Sequence, residues 1–335
     1  MKKSMIVLYS PIYYNSPGTQ FRINLLQKSL RLAGYRTKLI IGREGEFKHI
    51  YHLIGSRLLC REITWRMLGK VIAKSLKVQE FDTIILFTDV CASAIPYLCK
   101  QYNVILSVEN LTPEYENYDS RSSKNFYNIF VKFARDASAV ISPSYILSRK
   151  IEALGLNTIT VPIGSEYYVS LRYALKRACS PPTILHVGPL YHKKQIEILE
   201  YLSHNYRLIV HDFGKLSREL KNPEIAKYRE PTPEDALYIA RQANVGLILE
   251  YKRTPTLSKF YYFTSLLLPI IAEGRGEWRR EAEVLGIRLY PLDLLDDIAE
   301  NYCKYVMESE ESRKRLYIPQ VHKPLIRLLS QLNSQ

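Results

Sequence analysis

"MIVLYSPIYYNSPGTQFRINLLQKSLRLAGYRTKLIIG", residues 5–42, decides the fold. It opens on a nearly unbroken apolar run, Met5–Ser10, the pattern of a strand buried on both faces. A loop with Pro17 and Gly18 follows. Ile23, Leu26, Leu30 and Ala33 then recur at helical spacing, which predicts an amphipathic helix over 19–33. Gly34 stops that helix, and "TKLIIG" (37–42) reads as a second strand. Strand, helix and strand in this order form a βαβ unit with parallel strands. The apolar start superficially resembles a leader peptide, but it runs only from Met5 to Tyr9 before Pro11, so a first strand is the better reading.

The same alternation continues. "TIILFT" (83–88), "VILSV" (104–108), "AVIS" (139–142) and "ITVPIG" (159–164) read as strands. Residues 145–154 look helical and are closed by Gly155; 43–82 has room for one or two helices around Trp65. A polar, Tyr-rich stretch, "SEYYVSLRYALKRACSPP" (165–182), breaks the pattern. It then restarts with "TILHVG" (183–188), a helix near 193–204, "RLIVHDFG" (207–214), a helix near 233–243, "VGLILE" (245–250), a helix near 257–267 and "PIIAE" (269–273). The fold class is α/β, with two Rossmann-like domains expected to face a cleft. The boundaries are 1–165 for the first domain, 166–182 for a linker, 183–310 for the second domain and 311–335 for a C-terminal helix expected to pack back on the first. No close repeat relates the halves.

With 47% hydrophobic and 24% charged residues in a chain of 335, the composition is that of a globular protein. No apolar run approaches the roughly 18–20 residues of a membrane helix. Five scattered cysteines (Cys60, Cys91, Cys99, Cys179, Cys303) contain no C-x-x-C, which argues against a disulfide framework and for a reducing cytoplasm. Seven histidines show no ligand spacing, so no metal is expected. The formal net charge of +14 attracts anions: nucleotide phosphates, anionic lipid or nucleic acid. The excess forms no basic arm, which weighs against nucleic acid.

Ligands of open parallel sheets bind beyond the carboxyl ends of the strands. In the first half this selects Gly18, Thr19, Gln20 and Arg22, in a loop opening onto a helix N-terminus that suits anions or sugar hydroxyls. It also selects Asp89 and Glu109, each just past a strand and able to act as a general base if burial tunes it. An ordinary turn, a helix cap or an ion pair would explain the same residues. In the second half it selects Gly188 and Lys193 in "HVGPLYHKKQIE", which together suit a pyrophosphate. "TPTLSK" (254–259) offers Thr256 and Ser258 as helix caps and Lys259 as a cation, although capping alone accounts for the Thr and Ser. Neither G-x-x-x-x-G-K-[ST] nor a G-x-G-x-x-G after the first strand occurs, which disfavours P-loop enzymes and dinucleotide oxidoreductases.

Together these segments resemble the GT-B glycosyltransferases, in particular the large group 1/group 4 families that use nucleotide sugars. "SPGTQFRINLLQKSLRLAGYRTKLIIG" looks like the family's first βαβ unit, and "ASAVISPSYILSRKIEALGLNTITVPIGSE" is similar to the segment closing its first domain. "TILHVGPLYHKKQIEIL" resembles the opening of its second domain, and "PTPEDALYIARQANVGLILE" the helix and strand before the donor site. "SKFYYFTSLLLPIIAEG" is similar to "L-K-x-YEY-x-A-x-G-x-PV-[IV]-A", which in the family binds ribose and phosphates of the donor. The family lysine maps onto Lys259, its ribose-gripping glutamate onto Tyr262, its glycine onto Leu267 and the arginine of "VGRL" onto Pro189.

The resemblance implies a glycosyltransferase of the hexosyltransferase kind, moving a sugar from a nucleotide diphosphate sugar to an acceptor hydroxyl without a metal or other cofactor. The donor wall would comprise Gly188, Lys193, Glu250, Thr256, Leu257, Ser258, Lys259 and Tyr262, with the Tyr262 hydroxyl or Glu250 taking the ribose. The acceptor would be a glycan, a lipid-linked molecule or a protein. The expected location is cytoplasmic, peripheral at the inner face of an anionic membrane. A GT-B-like sugar-nucleotide epimerase and a non-catalytic glycan- or nucleic-acid-binding protein are the alternatives.

Overall fold

The computed structural model describes residues 5–11, 17–42, 50, 52–76, 81–178, 181–212, 219–222, 225–229, 233–251 and 258–334. They form two compact units: 5–164 with 318–334, and 165–251 with 258–317.

The first unit is built on six parallel strands: β1 (Met5–Ser10), β2 (Arg36–Ile41), β3 (Thr83–Phe87), β4 (Asn103–Ser107), β5 (Ala139–Ser142) and β6 (Thr158–Thr160). They are ordered β2-β1-β3-β4-β5-β6. The unbroken apolar run of β1 serves both faces: Val7 and Tyr9 join one core cluster, Ile6 and Leu8 the other. On the Val7 side, Trp65 of the helix Glu62–Leu76 stacks near Phe126 and Phe133 of the helix Ser120–Ala134, with ring centroids 5.3 and 5.5 Å away. Its indole N–H donates to the Leu59 carbonyl at 2.7 Å, so the buried ring carries no unmet donor. The opposite cluster is completed from the far end of the chain, where Leu325 and Leu329 of the helix Lys323–Leu332 pack with Ile6, Leu8, Ile23 and Leu26.

The second unit repeats the plan with β7 (Thr183–Val187), β8 (Arg207–Asp212), β9 (Ala226–Arg229), β10 (Val245–Leu249), β11 (Ile270–Glu273) and β12 (Leu289–Tyr290). Their order is β12-β11-β10-β7-β8-β9, again all parallel. The helix Ser258–Ser265 lies close on β10: a Cβ at Gly246 would meet the Phe263 ring at 2.6 Å. That helix ends in a Schellman turn, with Leu267 N–H on the Thr264 carbonyl (3.1 Å) and Leu268 N–H on the Phe263 carbonyl (3.0 Å). Leu267 takes the left-handed conformation there, φ 55°. This is the position that the family resemblance gives to glycine. The strain costs about 1–2 kcal/mol. Full burial of the leucine, worth about 1.5–3 kcal/mol, offsets it.

The expected strands all appear, most with ends within one residue of expectation; β6 stops at Thr160, four residues before the expected end at 164, and residues 213 and 214 of the expected 207–214 strand lie outside the described residues. The first helix begins earlier than expected, spanning Pro17–Leu32. Strand β9, the two-residue β12 and the helices Ser120–Ala134 and Glu277–Leu285 are elements that the sequence pattern did not single out. The stretch read as a linker contains the helix Leu171–Leu175, and Arg177 beyond it donates to the Leu266 carbonyl at 2.6 Å, within the second unit. The segment given to a C-terminal helix, 311–335, is divided: its first residues end the helix Tyr302–Leu316, which belongs to the second unit, and Lys323–Leu332 belongs to the first.

One close approach provides a test. A Cβ at Gly69 would stand 1.9 Å from the Ser93 carbonyl oxygen, whereas one at Gly55 would meet nothing within 4 Å. Gly69→Ala is expected to destabilise the first unit by about 2–3 kcal/mol in urea unfolding. Gly55→Ala, at the end of a short helix, should be neutral or stabilising by up to about 1 kcal/mol.

Candidate functional site

In sheets of this kind the crevice for a ligand opens where the strand order reverses. The reversal falls between β7 and β10 in the second unit and between β1 and β3 in the first.

In the second unit, Gly188 follows β7 with φ 113°, a conformation that favours glycine. The hydrogen in place of a side chain also makes room: a Cβ would come within 2.9 Å of Cε and 3.2 Å of Nζ of Lys259. The Lys259 ammonium therefore lies over the turn, 3.5 Å from a carboxylate oxygen of Glu250, the residue after β10. Both side chains are largely buried. Gly274 after β11 completes the arrangement with φ 112°. A Cβ there would sit 1.9 Å from the Glu250 carbonyl oxygen, so only glycine lets the ends of β10 and β11 run this close. Gln195 braces the turn from the next helix, Lys193–Ser203. Its side-chain oxygen accepts from the N–H groups of Tyr191 (2.7 Å) and His192 (2.9 Å), and its amide donates to the Leu249 carbonyl (2.7 Å). His186 in β7 is buried, donates from Nδ1 to the Leu247 carbonyl at 3.2 Å, and is pushed down to about 3 by burial and by the Lys259 charge.

Gly188, Glu250 and Lys259 are thus brought together. Ser258, half-buried, opens the helix that carries Lys259. Lys193 is exposed at the first residue of its own helix. Thr256 and Leu257 lie outside the described residues. Tyr262 turns toward a neighbouring helix, Pro233–Ala240, where its hydroxyl donates to the Ala236 carbonyl at 3.2 Å, and burial raises its pKa above the usual phenol range.

In the first unit the two acidic candidates differ. Asp89 is buried; one oxygen accepts the Thr112 N–H at 2.6 Å and the other the Thr112 hydroxyl at 2.8 Å. Burial lifts its carboxyl to about 6 against those bonds. It fastens the turn at Thr112 to the end of β3. The residue before it, Thr88, holds φ 82°, a strained conformation for a β-branched side chain. Glu109, beyond the end of β4, is ion-paired with Arg22 of the first helix at 2.9 Å. Ser107 links the pair, accepting from Arg22 at 3.0 Å and donating to the same Glu109 oxygen at 2.8 Å. The second Glu109 oxygen makes no hydrogen bond among the described residues. Burial pushes this carboxyl above its usual range, with Arg22 and Ser107 pulling the other way. Thr19 is buried and Gly18 and Gln20 half-buried in the first turn of the helix that positions Arg22.

His322 adds a part that sequence reading missed. Its Nε2–H faces the carbonyls of Pro162 (3.0 Å) and Ile163 (3.2 Å), and burial with the nearby Arg22 charge pushes it down to about 4. A single histidine before Lys323 and Pro324 carries no sequence signal for this. Gln195 did carry one, as the third residue of a helix able to reach back over its start. Among the described residues no group of three or more His, Cys, Asp or Glu is placed to hold a metal ion, and no helix is long and apolar enough to cross a membrane.

No family model matches the chain, and no curated protein does. Solved structures do. Anabaena HepE in complex with UDP-glucose superposes with a TM-score of 0.67 at 12% identity, over 99% of this chain and all of that one. Sucrose-phosphate synthase from Thermosynechococcus elongatus gives 0.67 at 13%, over 99% and 100%. S. aureus MnaA with UDP gives 0.59 at 11%, over 99% and 98%. The fold is GT-B.

The buried histidines set a pH dependence. His186, His211 and His322 stay neutral in the fold down to about 3, about 4 and about 4, against 6.5 for a free imidazole. The unfolded chain binds the extra protons as pH falls from 6.5, so stability is lost in that direction. Asp89, raised from 3.8 to about 6, and Glu109, also raised, oppose this. The histidines outnumber them, and the melting temperature is expected to be lower at pH 5 than at pH 7.5. His322→Gln should flatten the slope; a higher melting temperature at pH 5 would contradict the assignment.

Proposed function

We propose that the protein is a glycosyltransferase that takes a sugar, of the hexose class, from a nucleotide diphosphate sugar. The observation that carries the reading is the Lys259 ammonium lying over Gly188 beside Glu250, at the point where the second sheet reverses its winding. A buried cation above a turn without a side chain suits a diphosphate, which can approach the backbone closely and exchange with Glu250 for the lysine. Lys193 and the first N–H groups of the helices starting at Lys193 and Ser258 add positive potential. Charge building on the departing diphosphate is the main demand of the reaction, and these groups meet it in the proposal without a metal. That HepE and MnaA were crystallised with UDP or UDP-glucose makes UDP the first nucleotide to try.

Glu250 takes the ribose in this reading. The Tyr262 hydroxyl is occupied by Ala236, so the tyrosine that stands where relatives carry an acid does not replace it. In the first unit, Glu109 is the group best suited to accept a proton from an acceptor hydroxyl. It has a second oxygen that makes no hydrogen bond among the described residues and a pKa raised by burial, and it is oriented by Arg22 and Ser107. Asp89 has both oxygens engaged and serves the fold.

Calorimetric titration with UDP, GDP and ADP tests the donor side. UDP is expected to bind, and Lys259→Ala to weaken it by about tenfold or more. Tyr262→Phe should leave the affinity unchanged. Preference for UDP over 2′-deoxy-UDP should vanish in Glu250→Gln. Glu109→Gln should lower turnover by about 10²–10⁴ at unchanged UDP affinity, and EDTA should not affect the rate. A chain that binds none of the three nucleotides is not a transferase of this kind.

A further inference from the structure

The solvent face of the helix Glu62–Leu76 carries two parallel stripes. Ile63, Met67 and Val71, spaced four residues apart, are 67, 64 and 47% exposed. Arg66, Lys70 and Lys74 run beside them at the same spacing, all exposed. With 3.6 residues per turn the stripes lie about 60° apart around the axis. The opposite face, with Trp65, Leu68, Gly69, Ile72 and Leu76, is buried in the first unit. The helix holds one acid, Glu62, which is neutralised by Arg66 (2.6 Å) and by Lys132 of the helix Ser120–Ala134 (2.9 Å). Lys70 and Lys74 make no ion pair among the described residues.

Scattered apolar residues on a surface are ordinary, but a row of three along one helix, bordered by a row of cations, is not scatter. The charges specify what would cover it. Apolar side chains in such a row enter the boundary between lipid headgroups and acyl chains. Lysine and arginine stems reach beside them to headgroup phosphates, each worth about 1 kcal/mol near an anionic surface. We propose that this face docks the first unit on an anionic lipid bilayer, with the helix axis parallel to the membrane plane. The chain's +14 charge favours the same surface at longer range. The docked helix is no loose appendage: at Gly69 it presses on the Ser93 carbonyl, within the short helix Asp89–Ala94 that leaves the end of β3. The docking face does not depend on the reaction proposed above.

Flotation of the full chain with phosphatidylcholine vesicles, with and without phosphatidylglycerol, tests it. The protein is expected to float with the anionic vesicles alone and to be released by high salt. Lys70→Glu with Lys74→Glu should lower the partition by about tenfold or more. Ile63→Ser, Met67→Ser and Val71→Ser together should abolish it with no change of charge. Thermal melts of both variants should match the wild type, since the replaced side chains face solvent. In a Met67→Trp variant, indole emission should shift to the blue on anionic vesicles. The proposal is overturned if the wild type does not float, if it floats equally on both vesicles, if either set of substitutions leaves flotation intact, or if the indole emission does not move. It is also overturned if the wild type is a dimer that the apolar substitutions dissociate, which would assign the row to a second copy of the chain.

Discussion

Among the described residues, three strands of the two sheets are followed directly by a residue with positive φ: Thr88 after β3, Gly188 after β7 and Gly274 after β11. A parallel strand has to turn sharply at its carboxyl end to enter the next crossover, and these turns fix what can stand there. Where glycine takes the turn, the missing Cβ becomes space, and that space is used. Lys259 fills it over Gly188, and the Glu250 carbonyl fills it against Gly274. Where threonine takes the turn, the backbone holds strain, and Asp89 next to it is anchored by two bonds to Thr112. The candidate donor site follows from this geometry more than from any single side chain.

Much of the fold is legible in the sequence because long apolar runs and helical periodicity are local signals. The βαβ unit at 5–42 and the restart at 183 come from such runs. Strand β9 is short and largely polar, and β12 has two residues, so neither leaves a periodic trace. The candidate site was legible as a set of strand ends but not as a set of partners. Asp89 and Glu109 look alike in sequence, each an acid just past a strand. What separates them is Thr112, 23 positions from Asp89, and Arg22, 85 positions from Ser107. Tyr262 stood out as a replacement for an acid, yet its bond to Ala236 depends on a neighbouring helix that spacing alone does not locate.

The positive charge divides into two populations with different physics. Arg22 and Arg313 are buried and paired with Glu109 and Glu310 at 2.9 and 2.6 Å, so they organise the interior and contribute little to the outer field. The lysines of the helix Glu62–Leu76 stand in solvent and do contribute to it. A net charge read from composition cannot distinguish the two, which is why +14 suggests an anionic partner but does not say where it would bind.

The helix Lys323–Leu332 closes the core that Ile6, Leu8 and Ile23 begin. On the ribosome those residues emerge before the second unit, and Leu325 and Leu329 emerge after it. The earlier-made unit therefore cannot complete its core until the chain of the later-made one has been synthesised, and an apolar sheet face stays uncovered meanwhile. Closure of the first unit's core is thus tied to a segment made after the second unit, and not to the order of the units along the chain.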